Sequence, residues 1–299
     1  MNQQQDHHRQ GVAAALAAFT FWGLAPIYFK WMVVVPALEI IAHRVLWSVP
    51  VLAGFLLLRD GPGFWRRMVL PRRTVAVLSV SGSLVVSNWL LFVWAVNNGQ
   101  ILATSLGYFI NPLLNVLLGF LFLHERLTRV QTVAVALAAI GTVYLAWFLG
   151  VAPWISLVLA LTFGLYGLVR KKLAVGPMVG LLWETLLLAT PAWIYLFWAM
   201  QHDGTAFGHV SGHLDLLLAL AGVITVLPLV WFNVAARCMP LSTLGFFQYV
   251  APTITFLLAV FIYGEPFTQG HAVAFTCIWL ALVMVSAESV VRARRRKAG

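Results

Sequence analysis

An all-α polytopic membrane protein, with ten transmembrane helices arranged as two inverted five-helix repeats, is the fold class this sequence predicts, and three observations predict it. Apolar residues make up 62% of the 299-residue chain and charged residues only 9%, with a mean hydropathy of +0.91, whereas soluble domains carry about a quarter charged residues. The apolar residues fall into runs of about twenty, the length that crosses ~30 Å of hydrocarbon. The stretch Ser105–Thr128 also has an echo near the C-terminus. At a displacement of 140 positions Pro112 meets Pro252, Leu117 meets Leu257, Leu118 meets Leu258, Glu125 meets Glu265 and Thr128 meets Thr268.

Ten spans are expected, near 11–31, 36–58, 74–96, 101–123, 130–149, 152–170, 178–199, 214–236, 241–263 and 269–288. The apolar run that follows the polar start MNQQQDHHRQ continues through Phe29. It is too long for a cleaved signal, and further spans follow, so it is taken as the first helix. Pro36 suits the first turn of the second span, Thr74 offers a capping hydroxyl to the third, and Asp215 places an acid at the positive end of the eighth. The fourth and ninth spans carry Pro112 and Pro252, which remove a backbone donor and free the carbonyls of Tyr108 and Gln248. Both spans are therefore expected to be interrupted, with the two prolines as hinges. In hydrocarbon such carbonyls are tolerated only where protein or a water-filled cavity satisfies them. Short connections force neighbouring spans to run antiparallel.

The repeat extends to the earlier spans. With a displacement of 141, Gly23 meets Gly164, Lys30 meets Lys171, Pro36 meets Pro177 and Pro50 meets Pro191. Five spans is an odd number, so the second copy enters the membrane from the other side, giving halves 1–149 and 150–299, the latter with a basic tail. Inverted repeats of this kind frame secondary transporters whose site lies near the midplane.

Charge fixes the orientation. Arg9, Arg59, Arg66, Arg67, Arg72, Arg73, Arg126, Arg129, Arg170, Lys171, Lys172, Arg237, Arg292, Arg294, Arg295, Arg296 and Lys297 all fall on one side if both termini are cytoplasmic, leaving only Lys30 and Arg44. The formal charge of +10 is thus spread over short gaps between apolar runs rather than along one stripe, which argues against a nucleic-acid partner. Cys238 and Cys277 fall at different depths, too far apart for a disulfide.

Polar residues at depth are functional candidates by default. Near mid-span stand Trp22, Asn88, Trp89, Tyr108, Asn111, Asn115, Tyr166, Trp231, Asn233, Gln248 and Tyr249. Tyr108, Asn111 and Asn115 recur at three- and four-residue spacing and share one helical face. Such a face suits a drug-sized or amino-acid-like ligand, which needs aromatic walls and a few orienting polar groups; the alternative is that the asparagines hydrogen-bond neighbouring helices. Trp31, Trp65, Trp154 and Trp198 are expected at the interfaces. Glu39 and His43 lie four apart with Arg44 beside them, and Glu184 is the repeat mate of His43. Arg44 could attract an anionic substrate group, with His43 or Glu184 taking up a coupling proton; alternatively Glu39, His43 and Arg44 form a structural cluster near the outer face. Glu125 and Glu265, at helix ends, suit structural or gating roles.

Three segments, SNWLLFVWAVNNGQ (87–100), SLGYFINPLLNVLLGFLFLHERL (105–127) and LGFFQYVAPTITFLLAVFIYGEPF (244–267), resemble the EamA-type transporters of the drug/metabolite transporter superfamily, in their RarD-type branch. The resemblance covers nearly the whole chain. It implies a carrier of small organic molecules in the bacterial inner membrane, with both termini cytoplasmic and a cavity among spans one, three, four, six, eight and nine. Its partners would be a small-molecule substrate and the lipid bilayer, and a ten-span bundle can stand alone as a monomer. The competing class is a membrane-embedded enzyme acting on a lipid-linked substrate. His202, Asp203, His209, His213 and Asp215 cluster in and beside the longest outer loop, but no zinc-type spacing appears, so neither metal nor cofactor is expected.

Overall fold

A computed structural model describes residues 2–32, 34–97, 101–150, 153–202, 204–262 and 269–298. Among them are ten helices long and apolar enough to cross a membrane. They are α1 (Asn2–Lys30), α2 (Ala37–Asp60), α3 (Arg72–Asn97), α4 (Ile101–Leu123), α5 (Arg129–Leu149), α6 (Pro153–Lys172), α7 (Pro177–His202), α8 (Gly212–Cys238), α9 and α10 (Gln269–Ala298). Helix α9 comes in two pieces, Leu241–Gln248 and Val250–Leu257, and closes with a π-helical turn over Leu258–Ile262.

The local signals act much as their chemistry dictates. Pro36 directly precedes α2, and Pro177 opens α7. Ser211 caps α8 by accepting the Leu214 amide at 3.2 Å, while Asp215 in the first turn accepts the Gly208 amide at 2.7 Å. Thr128 and Gln131 form a reciprocal capping box at the start of α5. Two expectations are corrected. Thr74 is not a cap, because α3 already begins at Arg72. Of the two spans expected to be interrupted only α9 is broken: α4 runs unbroken through a buried Pro112. In α9 the Tyr249 amide turns to the Phe246 carbonyl at 3.3 Å, three residues back instead of four, so the winding tightens just ahead of Pro252.

Packing follows a regular scheme. Helices α5 and α10 lie along each other; α4 packs on α6 and on the first piece of α9; α1 packs on α8 and on the second piece of α9; α2 packs on α7 and α8; and α3 packs on α6 and α7. The main apolar core joins α1, α2, α3, α4, α6, α7, α8 and α9, and a second core sits under α5 and α10. One end of the bundle, here the basic end, carries Arg59, Arg67 and Lys171. The far end carries the loop around Ala206. The four tryptophans expected at the interfaces, Trp31, Trp65, Trp154 and Trp198, are exposed.

Candidate functional site

Successive residues on a helix point about 100° apart, so His43 and Arg44 face different neighbours. His43 shares its face with Glu39, and both are buried against the far-end loop. The Glu39 carboxylate accepts the Ala206 and Phe207 amides at 2.8 and 3.1 Å. The His43 ring lies 4.8 Å from the Phe207 ring, with Nε2 3.9 Å from Glu39. This pair fastens α2 to the loop, and Arg44 takes no part in it, which dissolves the three-residue cluster suggested by adjacency.

Arg44 turns inward instead. Its Nε donates to Thr225 Oγ1 on α8 at 2.9 Å, and its guanidinium stacks 4.2 Å from the Trp89 ring on α3 and 5.8 Å from Phe29 on α1. Neither terminal nitrogen has a hydrogen-bond partner among the described residues, and neither is sealed from open space. Tyr108 of α4 lies within electrostatic reach of the same charge and keeps 51% of its surface accessible despite dense protein around it, with its ring 6.0 Å from Phe92. Tyr28 lies near Arg44 as well and donates to the Leu217 carbonyl at 2.7 Å. Side chains from α1, α2, α3, α4 and α8 thus gather around the Arg44 guanidinium, with aromatic rings beside it and accessible surface left at its terminal nitrogens and at Tyr108. Trp22 lies two turns nearer the basic end, within an aromatic group of Phe19, Phe163, Tyr166 and Phe232.

Several of the other polar candidates make bonds between helices. Asn88 donates to the Leu159 carbonyl and to Thr162 on α6, at 2.7 and 2.9 Å. Asn115 bridges Asn111 and Gln248, tying α4 to α9 with all three buried. Tyr249 donates to the Phe109 carbonyl at 3.3 Å. Trp231 meets Phe21 edge-on.

Glu184 does not meet Arg44. Its carboxylate accepts Ser81 Oγ on α3 at 2.6 Å and lies 3.6 Å from the Arg170 guanidinium, with both side chains almost wholly buried. Arg170 also donates to Asn233 Oδ1 and to the Pro177 carbonyl, each at 3.1 Å, and Asn233 donates to Tyr166 at 3.0 Å. Gly180 makes room for this arrangement, because a Cβ there would collide with the guanidinium. Sequence reasoning placed Arg170 on the aqueous rim with Lys171 and Lys172; the missed signal is its position four residues after Tyr166, on the same inward face.

Glu125 stands at the basic end. It accepts the Leu241 and Ser242 amides and the Ser242 hydroxyl at 2.7, 2.9 and 2.7 Å, capping α9 where unsatisfied donors converge. Lys171 stands 3.9 Å away and also donates to the Ala236 and Met239 carbonyls. Glu265 and Asp203 lie outside the described residues. At the far end His202, the last residue of α7, stacks on Trp198 and bonds its carbonyl, and His209 in the loop bonds the Phe207 carbonyl; among the described residues no His, Cys, Asp and Glu gather as a metal set.

The profile of the EamA-like transporter family matches residues 9–147. Protein RarD of Salmonella typhimurium is 46% identical over 288 residues, covering 96% of this chain and 98% of that protein. The chain belongs to the EamA family. An uncharacterized transporter of Pseudomonas aeruginosa is likewise 46% identical, over 96% of both chains. A solved crystal structure superposes with a TM-score of 0.74 at 17% identity, over 93% of this chain and 97% of the other, a likeness of fold alone. This EamA protein is therefore a multi-pass membrane protein whose relatives are transporters, not enzymes.

Proposed function

We propose that the chain is an inner-membrane secondary carrier of small organic molecules, working by alternating access around the cavity at Arg44. Arg44 carries this reading: a guanidinium held in the bundle interior, with two nitrogens left to a cavity, is too costly to keep without a use. The basic end faces the cytoplasm, with both termini there. The packing supports two inverted repeats, 1–149 and 150–299. Helix α1 on α8 matches α6 on α3; α2 on α8 matches α7 on α3; α4 on α6 matches α9 on α1; and α2 with α7, α4 with α9, and α5 with α10 pair each helix with its own mate. Gly23, packed on Ala251 and Ile254, has its counterpart in Gly164, packed on Leu114 and Leu118.

In this reading α9 bends at Tyr249, where the helix is already broken ahead of Pro252, while Pro112 lets α4 follow. Glu125 closes the cytoplasmic side. Counterflow in proteoliposomes tests the proposal: purified protein exchanges internal for external substrate at equal concentrations, and Arg44→Leu abolishes the exchange while still running as a monodisperse folded protein. Currents far above carrier turnover, or exchange untouched by Arg44→Leu, would refute it.

A further inference from the structure

On the carrier reading above, we infer that the substrate is a monocarboxylate with an apolar or aromatic body and no ammonium group. Arg44 is the cation seen at this site among the described residues, and the two nitrogens it leaves open form one end of the planar guanidinium, the fork that takes a carboxylate through two parallel bonds. A dianion would bring one uncompensated charge to mid-depth, which the surroundings are too apolar to carry.

The carboxylates of the chain decide the second half of the inference. A zwitterion on Arg44 would leave a net positive charge at mid-depth, because no acid among the described residues is free there to offset its ammonium, whereas a monocarboxylate leaves none. Glu39 is spent on the Ala206 and Phe207 amides, Asp60 on Arg59 and Arg67, and Glu125 on the start of α9. Glu184 is spent on Arg170 and Ser81, Asp215 on the Gly208 amide, and Glu288 on Thr128. The remaining three acids, Asp6, Asp203 and Glu265, fall outside the apolar runs of the sequence. The walls are Trp89, Phe29, Tyr108 and Phe92, which suit a flat apolar body.

Three probes of matched body and different charge test this: 3-phenylpropionate, phenylalanine and 3-phenylpropanamide. Titrating each into purified protein and following the unfolding midpoint gives an apparent Kd. The acid is expected to bind about tenfold or more tightly than either of the others, the discrimination of a charge-assisted bidentate pair. Arg44→Gln should erase the preference for the acid over the amide, and Arg44→Lys should keep part of it. If either variant fails to fold, the matched series on the parent protein still decides. Amide or amino acid binding as tightly as the acid, an acid that does not bind, or a preference that persists in folded Arg44→Gln would overturn the inference. Counterflow of phenylalanine or the amide would do so while leaving the carrier reading intact; a bound acid that never crosses the membrane would overturn the carrier reading instead.

Discussion

Arg170 and Glu184 offer the sharpest energetic test of how this bundle is held together, because both side chains are almost completely buried and their closest charged atoms stand 3.6 Å apart. At an effective dielectric of ~20 that separation corresponds to about 4–5 kcal/mol of attraction. Glu184→Leu leaves the guanidinium with Asn233 and the Pro177 carbonyl but no counter-charge, and Arg170→Met leaves the carboxylate with Ser81 alone. Each single change should cost about 3–5 kcal/mol, the usual penalty for stranding a buried charge. The double variant strands neither, and although it gives up the bonds to Asn233 and Pro177, it should be more stable than either single. A double-mutant cycle on unfolding in mixed micelles reads the coupling directly, with about 2 kcal/mol or more expected for groups in contact. Strict additivity would refute the ion-pair account. The same folded double variant tests coupling, since it lacks the Glu184 carboxylate: if an imposed pH gradient still drives its transport, Glu184 carries no coupling proton.

Two further predictions concern closure and packing. Glu125→Ala removes three accepted hydrogen bonds from the start of α9, and it should open the basic end, raising thiol labelling of Thr243→Cys from that side in a background where Cys238 and Cys277 are serine; unchanged labelling would show that Glu125 is not the seal. Gly23→Ala would set a Cβ 2.7 Å from that of Ile254 and 3.0 Å from the Ala251 carbonyl, groups fixed to backbone. At Gly164 the obstacles are the mobile ends of Leu118 and Leu114, at 3.0 and 3.2 Å. Unfolding should thus show Gly23→Ala costing about 1–3 kcal/mol and Gly164→Ala distinctly less; equal costs would show that the two crossings yield alike.

The spans were legible because hydropathy and chain length alone decide what crosses a membrane, and all ten helices fall within a few residues of their expected places except at the polar ends of α1 and α10. Those ends carry on as helix because Asn2–Gln10 and the Arg- and Ala-rich tail contain no proline or glycine to stop them. The site was legible only as a set of depths. Asn88 and Trp89 are adjacent in sequence yet point to different partners, one to α6 and the other beneath Arg44, and no periodicity says which of two neighbouring polar residues faces a cavity. Arg170 stayed hidden because three consecutive basic residues look like a solvated helix end, although only the first of them is buried. The unequal proline helices were illegible for a related reason: Pro112 and Pro252 free equivalent carbonyls, and what breaks α9 is the turn of the Tyr249 amide, set by tertiary packing.

Alternating access around Arg44 is tested most directly by a cysteine at Tyr108, the wall residue with half its surface open, in protein whose Cys238 and Cys277 are serine. A membrane-impermeant thiol reagent is applied to oriented vesicles from one side and then from the other, with and without a transported substrate. The carrier account predicts labelling from both sides, and protection from both when substrate is bound. Labelling from one side alone, whatever the substrate, would contradict it.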